Sequence, residues 1–539
     1  MGVETEYAVA GEGPGVLYGH SRRVDQLLDR AYDNLVTLRD THGGGLFLEN
    51  GSRLYIDSGN HPEFCTPECT NPTDLVRYVL AGEQTMLALS NSGLSNEQPL
   101  RIFKHNQDYL SRVAWGCHES YLHKTSPLII GADIVSHLVT RIIFTGAGGF
   151  DVFRFSPEFL ISPRISFLHR LTTESSTGTR GILHSKDEPH TKHGFHRFHL
   201  ICGESLSSET AIWLKLATTA LVIAMSDAGL RPGSGISLAE PLLAMALVAN
   251  DEGLNTDLTL TNGQTKSPIA IQRHYLSIAR AHQHDDFMPY WAEDACDRWE
   301  AMLTSLECGP DAVAAKLDWA IKRKVFLQHA QRRGFSPEKL NQWRRLLREV
   351  DASLALASEP ICPTVSEMLS PRSLCRQKTE ETLRKLLGLR FDHEELNAVL
   401  ALVTELREID VRFAELGDHG LFQQLDRAGV LDHHASGVTN IKQAMTTPPS
   451  EGRAKLRGEA IRECFKERER YRCDWQGIVD DYDQRILDLS DPFVSKADWS
   501  DWQEKFQSGF PDFCYPYYAR RVPNQIHRQS DDPQPSCVD

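Results

Sequence analysis

The sequence predicts an α+β protein that combines a sheet-rich N-terminal part with a helical C-terminal part. Strand and helix signals alternate over the first 240 residues, whereas charged amphipathic helical patterns dominate after about residue 270. The chain has 539 residues, of which 41% are hydrophobic and 24% charged, and these values are typical of a globular protein. A chain of this length is expected to hold roughly two to four structural units.

The composition argues against several classes of function. The formal net charge is −15, because 73 acidic residues outnumber 58 basic ones. Such a chain lacks the basic surface of a general nucleic-acid-binding protein. No apolar run approaches the roughly 18 residues of a membrane helix, and the N-terminus has no signal-peptide pattern. We therefore expect a cytoplasmic protein that binds neither nucleic acid nor membrane. The 12 cysteines include no CxxC pair and are interpreted as reduced thiols.

The N-terminal part predicts strands and loops around one helix-like stretch at 24–40. Two β-rich runs, 46–48 and 53–57, flank the pair Asn50-Gly51, which is a strong short-range signal for a β-hairpin. The later elements of this part are predicted in the order helix 73–92, strand 101–104, strand 196–202 and helix 207–228.

The C-terminal part predicts helices separated by two breaks. Proline residues within 358–376 predict a linker, and the run 445–450 predicts a second break before a compact segment that ends near residue 518. The last residues are polar and show no periodicity, which predicts a disordered tail. The helices are predicted at 312–331, 336–356, 380–387 and 393–416.

Polar side chains share one face of the predicted strand 53–57. Alternate residues of a strand point the same way, so Arg53, Tyr55 and Asp57 are expected on one face. A cation, a phenol and a carboxylate in this arrangement suit an anionic substrate and a proton transfer. For this strand alone, a solvated sheet face is the simpler interpretation.

Nearby acidic residues favour a functional site. Glu4 and Glu6 share a face of the first predicted strand, where two carboxylates repel each other unless a cation or base lies between them. The segment 61–68 adds a histidine and two more carboxylates. Mg²⁺ prefers oxygen ligands and substrate phosphates, and the chain has neither a Walker A motif nor GxGxxG. These residues indicate a Mg²⁺–nucleotide site, although any single histidine of the chain is more simply explained as an ordinary core or surface residue.

A series of segments, taken in their order along the chain, resembles the Pup ligase/depupylase family. That family comprises the ligase that attaches the small ubiquitin-like protein Pup to lysines and the related enzyme that deamidates Pup and removes it. The resemblance covers nearly the whole chain except about 336–402 and the tail. The matching segments are GVETEY at 2–7, NGSRLYID at 50–57, HPEFCTPE at 61–68, FKHN at 103–106, GCHESYL at 116–122, KDEPH at 186–190, RFH at 197–199, LDWAIKRK at 317–324, PP at 448–449, LRGE at 456–459 and DW at 474–475.

The resemblance implies a glutamine-synthetase-like fold. In that fold a curved antiparallel β-sheet, with packed helices, forms a cradle for ATP and Mg²⁺, and a small C-terminal domain contacts the nucleotide. We therefore predict a catalytic domain over 1–435, a small C-terminal domain over 436–520 and a disordered tail over 521–539. The helical region at about 336–402 is expected to be an insertion that supports the fold locally or binds a partner.

The resemblance also implies roles for individual residues. Asp57 matches the catalytic aspartate of the family. At position 186 the family commonly has an arginine, and the lysine found here keeps the charge but loses the bidentate fork. The implied metal-binding residues are Glu4, Glu6, Tyr55, Glu63, His118 and His199. The implied nucleotide-binding residues are Arg53, Thr66, Arg164, Lys186, Arg197 and Trp475.

The reaction that the resemblance implies joins a modifier to a protein. ATP phosphorylates the side-chain carboxylate of the C-terminal Glu of Pup or a Pup-like modifier, and a lysine of a target protein attacks the acyl phosphate. Because lysine is mostly protonated near pH 7, Asp57 is expected to accept its proton as a general base. The product is an isopeptide bond, and the enzyme is expected to act as a monomer.

Three other functions stay open. The hydrolase branch of the family would act on a C-terminal Gln amide or on the isopeptide bond, but it carries a loop insertion soon after its first strand. The short spacing between Tyr7 and Gly51 favours the ligase branch. A ligase that joins a carboxylate and an amine of small substrates would share the cradle. A catalytically inactive binding module would have lost a catalytic residue, and none of the implied ones is missing.

Overall fold

The computed structural model describes residues 1–11, 20–57, 59–92, 100–175, 178–185, 188–191, 194–355, 364–494 and 503–504. Short 3₁₀ helices connect some of the elements, for example at Pro163–Phe167 and Pro310–Val313. The strands are β1 Gly2–Glu6, β2 Ala8–Ala10, β3 Thr37–Asp40, β4 Gly45–Leu48, β5 Arg53–Ile56, β6 Pro62–Cys65, β7 Arg101–Phe103, β8 Cys117–His123, β9 Gly149–Phe150, β10 Phe159–Leu160, β11 Leu168–Thr173, β12 Arg180–His184, β13 His196–Leu200, β14 Leu258–Thr259, β15 Thr265–Lys266, β16 Tyr471–Asp474, β17 Gly477–Asp480, β18 Arg485–Asp488 and β19 Gln503–Glu504.

Helices surround the sheet and form most of the chain after β13. They are α1 His20–Asn34, α2 Pro72–Asn91, α3 Pro127–Thr140, α4 Ile142–Thr145, α5 Glu209–Asp227, α6 Pro241–Ala249, α7 Pro268–His282, α8 Ala292–Glu307, α9 Asp318–Arg332, α10 Pro337–Ala355, α11 Val365–Leu369, α12 Leu374–Leu387, α13 His393–Phe413, α14 Leu421–Arg427, α15 Ile441–Ala444 and α16 Gly452–Cys464.

An eleven-stranded sheet organises the molecule, in the order β13-β8-β1-β6-β5-β4-β3-β16-β17-β18-β19. Its neighbouring strands are antiparallel except for β3 and β16, where Arg472 pairs with Arg39 in parallel. The predicted antiparallel sheet is confirmed, and the pair of β3 with β16 is the one parallel pair among its described strands, so the sheet is mixed. The physical reason is that β16 joins the edge after a long excursion of the chain, so no hairpin dictates its direction.

The largest hydrophobic core lies among the helices that follow the sheet. Helix α5 contacts α2, α3 and α8, and it buries Trp213 and Leu214 almost completely. Within the described residues, α5 is the one helix long and apolar enough to cross a membrane, and 83% of its apolar window is buried inside the protein. Burial on this scale identifies it as the central helix of the core.

A second, smaller core joins the hairpin to the C-terminal strands. Leu38 of β3 and Phe47 of β4 pack with Ile461 of α16 and Leu487 of β18. The predicted boundaries at 435 and 520 stay predictions. The expected tail at 521–539 lies outside the described residues.

Most elements predicted from the sequence are present. The hairpin is confirmed, because β4 and β5 pair antiparallel around Asn50-Gly51. Side-chain caps at Asn71 and Ser208 begin two of the predicted helices. The other confirmed predictions are helix 73–92 as α2, strand 101–104 as β7, strand 196–202 as β13 and helix 207–228 as α5.

Three predictions of local structure are wrong in part. The stretch 24–40 is helical only to Asn34, because Thr37 and Leu38 pair with β4 instead. The stretch 312–331 begins its α-helix only at Asp318. The linker predicted at 358–376 contains α11 and the start of α12, since the side chains of Thr364 and Ser373 cap these helices.

Candidate functional site

Pairing between neighbouring strands brings the acidic side chains together. Glu4 of β1 lies directly opposite His118 of β8, and Glu6 lies opposite Glu63 of β6. Glu63 in turn lies opposite Tyr55 of β5. Directly paired residues point to the same face of a sheet, so these five side chains line one face. We call them the acidic face.

One half of the acidic face is centred on Glu4. The Nδ1 atom of His118 lies 3.5 Å from Glu4 Oε2, and His199 Nε2 lies 4.0 Å from the same oxygen. Arg197 Nη1 donates to Glu4 Oε1 at 3.3 Å. Burial alone would raise the pKa of Glu4, but His199, His118 and Arg197 more than offset it and hold this pKa well below its ordinary value. Glu4 is therefore a carboxylate that carries charge in the folded protein.

The other half is centred on Glu6. The Nδ1 atom of His61 lies 3.1 Å from Glu6 Oε2 and 3.7 Å from Asp57 Oδ2. Burial would lower the pKa of His61, but its contacts with Asp57 and Glu6 raise that pKa to about 9. The pKa of Glu6 falls to about 2, because its contacts with His61 and His118 outweigh its burial. His118 connects the two halves, since its Nε2 lies 3.8 Å from Glu6 Oε1.

Asp57 stands at the end of β5, beside the acidic face. Its main-chain N–H donates to the carbonyl of His61 at 3.0 Å, and the N–H of His61 donates to Asp57 Oδ1 at 2.7 Å. These two bonds close a tight turn that fixes the carboxylate, which is still 14% exposed. Asp57 is thus a fixed carboxylate that keeps a small part of its surface exposed.

Two buried atoms of the acidic face make no hydrogen bond within the described residues: Glu63 Oε1 and His118 Nε2. Burial and the charges of Glu4 and Glu6 raise the pKa of Glu63 well above its ordinary value. A buried polar atom without a partner is unfavourable. A cation held between Glu4, Glu6 and Glu63 would relieve both the missing bonds and the repulsion. The donors therefore fit a divalent metal ion, because their carboxylates supply the oxygen ligands that Mg²⁺ prefers.

The residues predicted to contact nucleotide differ in their hydrogen-bond partners and in their distance from the acidic face. Arg53 Nη2 donates to Asp40 at 2.6 Å, and its guanidinium lies 4.1 Å from the ring centre of Tyr55. The hydroxyl of Thr66 is buried and accepts from the N–H of Val3 at 3.0 Å. Arg53 thus flanks the acidic face, whereas the Thr66 hydroxyl connects β1 to the segment after β6.

Arg164 is buried behind the face and donates to the carbonyl oxygens of Trp115 and Ile201 at 3.0 and 2.9 Å. Its positive charge still helps to lower the pKa of Glu6. Lys186 lies outside the described residues. The assignment of Arg164 and Lys186 to nucleotide binding stays a prediction.

Trp475 follows β16 and packs against the hairpin formed by β4 and β5. Its ring packs edge-on against Phe47, with 5.0 Å between the ring centres. The guanidinium of Arg457 lies 4.8 Å from the centre of the Trp475 ring, and Arg457 Nη1 donates to the Trp475 carbonyl at 3.3 Å. Arg457 and Arg453 both bind the carboxylate of Glu68. This contact joins α16 and the loop after β16 to the loop that follows β6.

The sequence predicts residues of the acidic face, but it does not predict the side chains that hold Asp57, Trp475 and Glu68 in place. His61 was noted only as part of a motif, although its position four residues after Asp57 on a proline-fixed segment could have indicated their contact. Phe47, Arg453 and Arg457 were not singled out. Their partners are distant in the sequence, and no local pattern identifies them.

Comparison with known proteins gives a consistent result. A family model described as Pup-ligase protein matches residues 1–352 and 390–479. A Pup–protein ligase of Rhodococcus opacus is 27% identical over 510 residues, which cover 92% of this chain and 96% of the relative. A Pup–protein ligase of Bifidobacterium longum subsp. infantis is 33% identical over 353 residues, which cover 60% of this chain and 70% of the relative. A depupylase of Acidothermus cellulolyticus is 35% identical over 310 residues, which cover 55% and 60%.

Two solved structures share the architecture. The structure of the complex between prokaryotic ubiquitin-like protein Pup and its ligase PafA aligns with a TM-score of 0.68 at 23% identity, covering 92% of this chain and 88% of that one. The structure of the Pup ligase PafA in complex with ADP aligns with a TM-score of 0.62 at 21% identity, covering 90% and 93%. At these identities the likeness shows the fold, which confirms the predicted α+β class.

Proposed function

Since the chain belongs to the Pup-ligase family, we propose that it uses ATP to join Pup or a Pup-like modifier to lysines of target proteins. The relatives that match along almost their whole length are Pup–protein ligases. The observation that carries the chemistry is the position of Asp57, a fixed and accessible carboxylate next to a row of acidic side chains. Such an arrangement suits a reaction that brings a phosphorylated carboxylate and an amine together.

The acidic face would hold the metal of the reaction. Glu4, Glu6 and Glu63 supply carboxylate oxygens, and the remaining ligands of this proposed set are Tyr55, His118 and His199. Mg²⁺, when bound, neutralises the phosphate charges of ATP. Arg53, Arg197 and Trp475 are proposed to position the nucleotide, and the complex of the structurally similar PafA with ADP supports the use of a nucleotide.

Asp57 would perform the proton transfer. The γ-phosphoryl group passes to the side-chain carboxylate of the modifier's C-terminal Glu, and the neutral amine of a target lysine then displaces phosphate. The attacking lysine must lose a proton, and Asp57 accepts it. The protonated His61, 3.7 Å from Asp57 Oδ2, keeps the carboxylate anchored between these steps.

The hydrolase branch is the second candidate, because a depupylase is 35% identical over part of the chain. Its match covers 55% of this chain, whereas the Rhodococcus ligases cover 92%. A Pup–protein ligase with a similarly partial match covers 60% of this chain, so coverage alone does not separate the two branches; the short spacing between Tyr7 and Gly51 favours the ligase. A cytoplasmic location and a monomeric state are part of the same proposal.

Intact-protein mass spectrometry tests the proposal. The purified chain is incubated with ATP, Mg²⁺, a lysine-rich acceptor and a Pup-like modifier that ends in either Glu or Gln. A ligase adds one modifier mass minus water to the acceptor, with the Glu version and with ATP. Conversion of the Gln version to Glu without any conjugate would instead establish a deamidase and overturn the proposal.

Replacing Asp57 tests the role of the carboxylate. Asp57→Ala should abolish conjugate formation while leaving ATP binding largely intact, because the substitution removes the proton acceptor but no proposed nucleotide contact. General-base catalysis typically contributes about 10²–10⁴-fold to a rate. The matched control is Asp294→Asn on the exposed face of α8, which should leave both properties unchanged. Loss of ATP binding equal to the loss of activity would indicate misfolding and contradict the assigned role.

A further inference from the structure

A second group of histidines and carboxylates lies apart from the acidic face. It contains Glu209 at the first turn of α5, Asp426 at the end of α14, and the consecutive pair His433-His434 in the loop that follows. Potential ligand atoms of Glu209, His433 and His434 lie within 4.8 Å of one another. None of these four residues belongs to the acidic face or to the nucleotide contacts proposed above.

The distances in this cluster match those between ligands of one ion. Asp426 Oδ1 lies 3.1 Å from His433 Nε2 and 3.4 Å from His434 Nε2. Ligands about 2.0–2.1 Å from a tetrahedral zinc ion stand roughly 3.3 Å from one another. Asp426 Oδ1 therefore stands at a ligand-to-ligand distance from the Nε2 atom of each imidazole, and the centres of the two rings lie 4.2 Å apart.

The two imidazole rings are prepared for this role in different ways. His433 is 3% exposed, and among the described residues its Nε2 has no hydrogen-bond partner of good geometry, although Asp426 Oδ1 lies 3.1 Å away. Its Nδ1 has one long contact, 3.4 Å from the N–H of Glu209, and metal binding at Nε2 would break it.

Glu209 supports His434 from behind. Glu209 Oε1 lies 2.9 Å from His434 Nδ1, and Glu209 Oε2 accepts from the N–H of Ala435 at 3.0 Å. A carboxylate that accepts the Nδ1 proton of a ligating histidine fixes the tautomer with Nε2 free for the metal. The His434 side chain is 65% exposed, so an ion can enter from solvent.

We propose that His433, His434 and Asp426 form a binding site for Zn²⁺ or a similar divalent transition-metal ion, with Glu209 orienting His434 and water completing the coordination. The proposal does not depend on the reaction assigned to the acidic face. A bound ion would connect the end of α14 and the following loop to the first turn of α5, the central helix of the core.

Metal content is measured by equilibrium dialysis of the full chain. The protein is first freed of metal with EDTA, and every variant is then dialysed against the same low-micromolar Zn²⁺ with excess Mg²⁺, so that zinc bound elsewhere contributes equally to all of them. We expect the wild type to retain one more zinc ion per chain than His434→Gln or Asp426→Ala. His419→Gln is the matched control, because His419 is an exposed histidine near α14 and contacts none of the cluster. Glu209→Gln should weaken binding about 10–100-fold rather than abolish it.

A second measurement uses Co²⁺ as the probe. The wild type and His419→Gln should show the visible bands of tetrahedral Co²⁺, and His434→Gln should lack them. Equal zinc content in the wild type, His434→Gln and Asp426→Ala would overturn the proposal, as would an equal loss in His419→Gln. Because His434 and Asp426 are both partly exposed, these variants are expected to fold, and circular dichroism of the metal-free proteins checks this. No modifier or ATP enters the measurement, so its result is independent of the proposed ligase activity.

Discussion

Replacing Glu68 with glutamine is expected to weaken the contact between the loop that follows β6 and helix α16. Its carboxylate binds Arg453 Nε at 2.6 Å and both terminal nitrogens of Arg457. Arg457 is completely buried and also reaches Gly51 and Trp475. Glutamine keeps the shape of the side chain but removes its charge, which leaves two buried guanidinium groups without a counter-ion.

The size of the effect follows from the acidity of Glu68. Burial would raise its pKa, but Arg457 and Arg453 outweigh burial and lower the pKa from 4.5 to about 2. Each tenfold change in proton affinity corresponds to about 1.4 kcal/mol, so ionised Glu68 stabilises the fold by at most about 3.4 kcal/mol. One third of the side chain is exposed, and solvent screening reduces the expected loss to about 1–2 kcal/mol.

Urea unfolding of Glu68→Gln measures this loss. The matched control is Glu49→Gln, which removes the ion pair between the hairpin and the partly exposed Arg462 of the same helix α16 and should cost less than about 0.5 kcal/mol. Because the folded pKa of Glu68 is lowered, its contribution is complete above about pH 4.5 and is lost as the pH falls toward 2. The difference between wild type and variant should therefore shrink below pH 4.5. Equal stability of Glu68→Gln and Glu49→Gln at pH 7 would refute this reasoning.

Two further predictions concern stability. Gly51 has φ +82°, and a Cβ atom there would stand 2.8 Å from the carbonyl oxygen of Ala454. Gly43 has a similar φ of +76° but open space around it, so Gly43→Ala should cost only the about 1–2 kcal/mol of left-handed backbone strain. Gly51→Ala should destabilise the protein by more than this. Similar thermal midpoints would contradict this. Burial raises the pKa of Asp351 to about 7; Arg154 opposes this shift, and Asp151 and Glu158 reinforce it. The folded protein therefore keeps a proton on Asp351 that the unfolded chain loses, and the free energy of unfolding falls as the pH rises from about 4 to 7. Asp351→Asn should be about 1–3 kcal/mol more stable than wild type at pH 8 and no different at pH 4; an equal gain at both pH values would exclude titration as the cause.

Local patterns predicted the acidic face well because they depend on strand alternation. Arg53 and Tyr55 do share a face, and the register places Tyr55 beside Glu63 and Glu63 beside Glu6. Asp57 differs in detail, because it follows the end of β5 and is held by the turn to His61 rather than by the strand.

Long-range partners could not be predicted from one sequence. Arg457 binds Glu68 across 389 positions, and nothing in either segment specifies the other. The same holds for β16, whose parallel pairing with β3 depends on the path of the whole intervening chain. The linker prediction is wrong in part for a different reason: prolines favour a break in this segment, but the side chains of Thr364 and Ser373 cap helices within it.

The pairing of β3 with β16 also sets an order of assembly during synthesis. The strands that carry the acidic face all lie before residue 124, yet the edge beyond β3 stays open until residues 471–474 have been synthesised. An exposed edge strand can pair with other chains, and contacts between such distant segments form late in folding. An unfinished chain therefore has its acidic side chains but lacks Trp475, so a truncated product cannot assemble the complete nucleotide site proposed above.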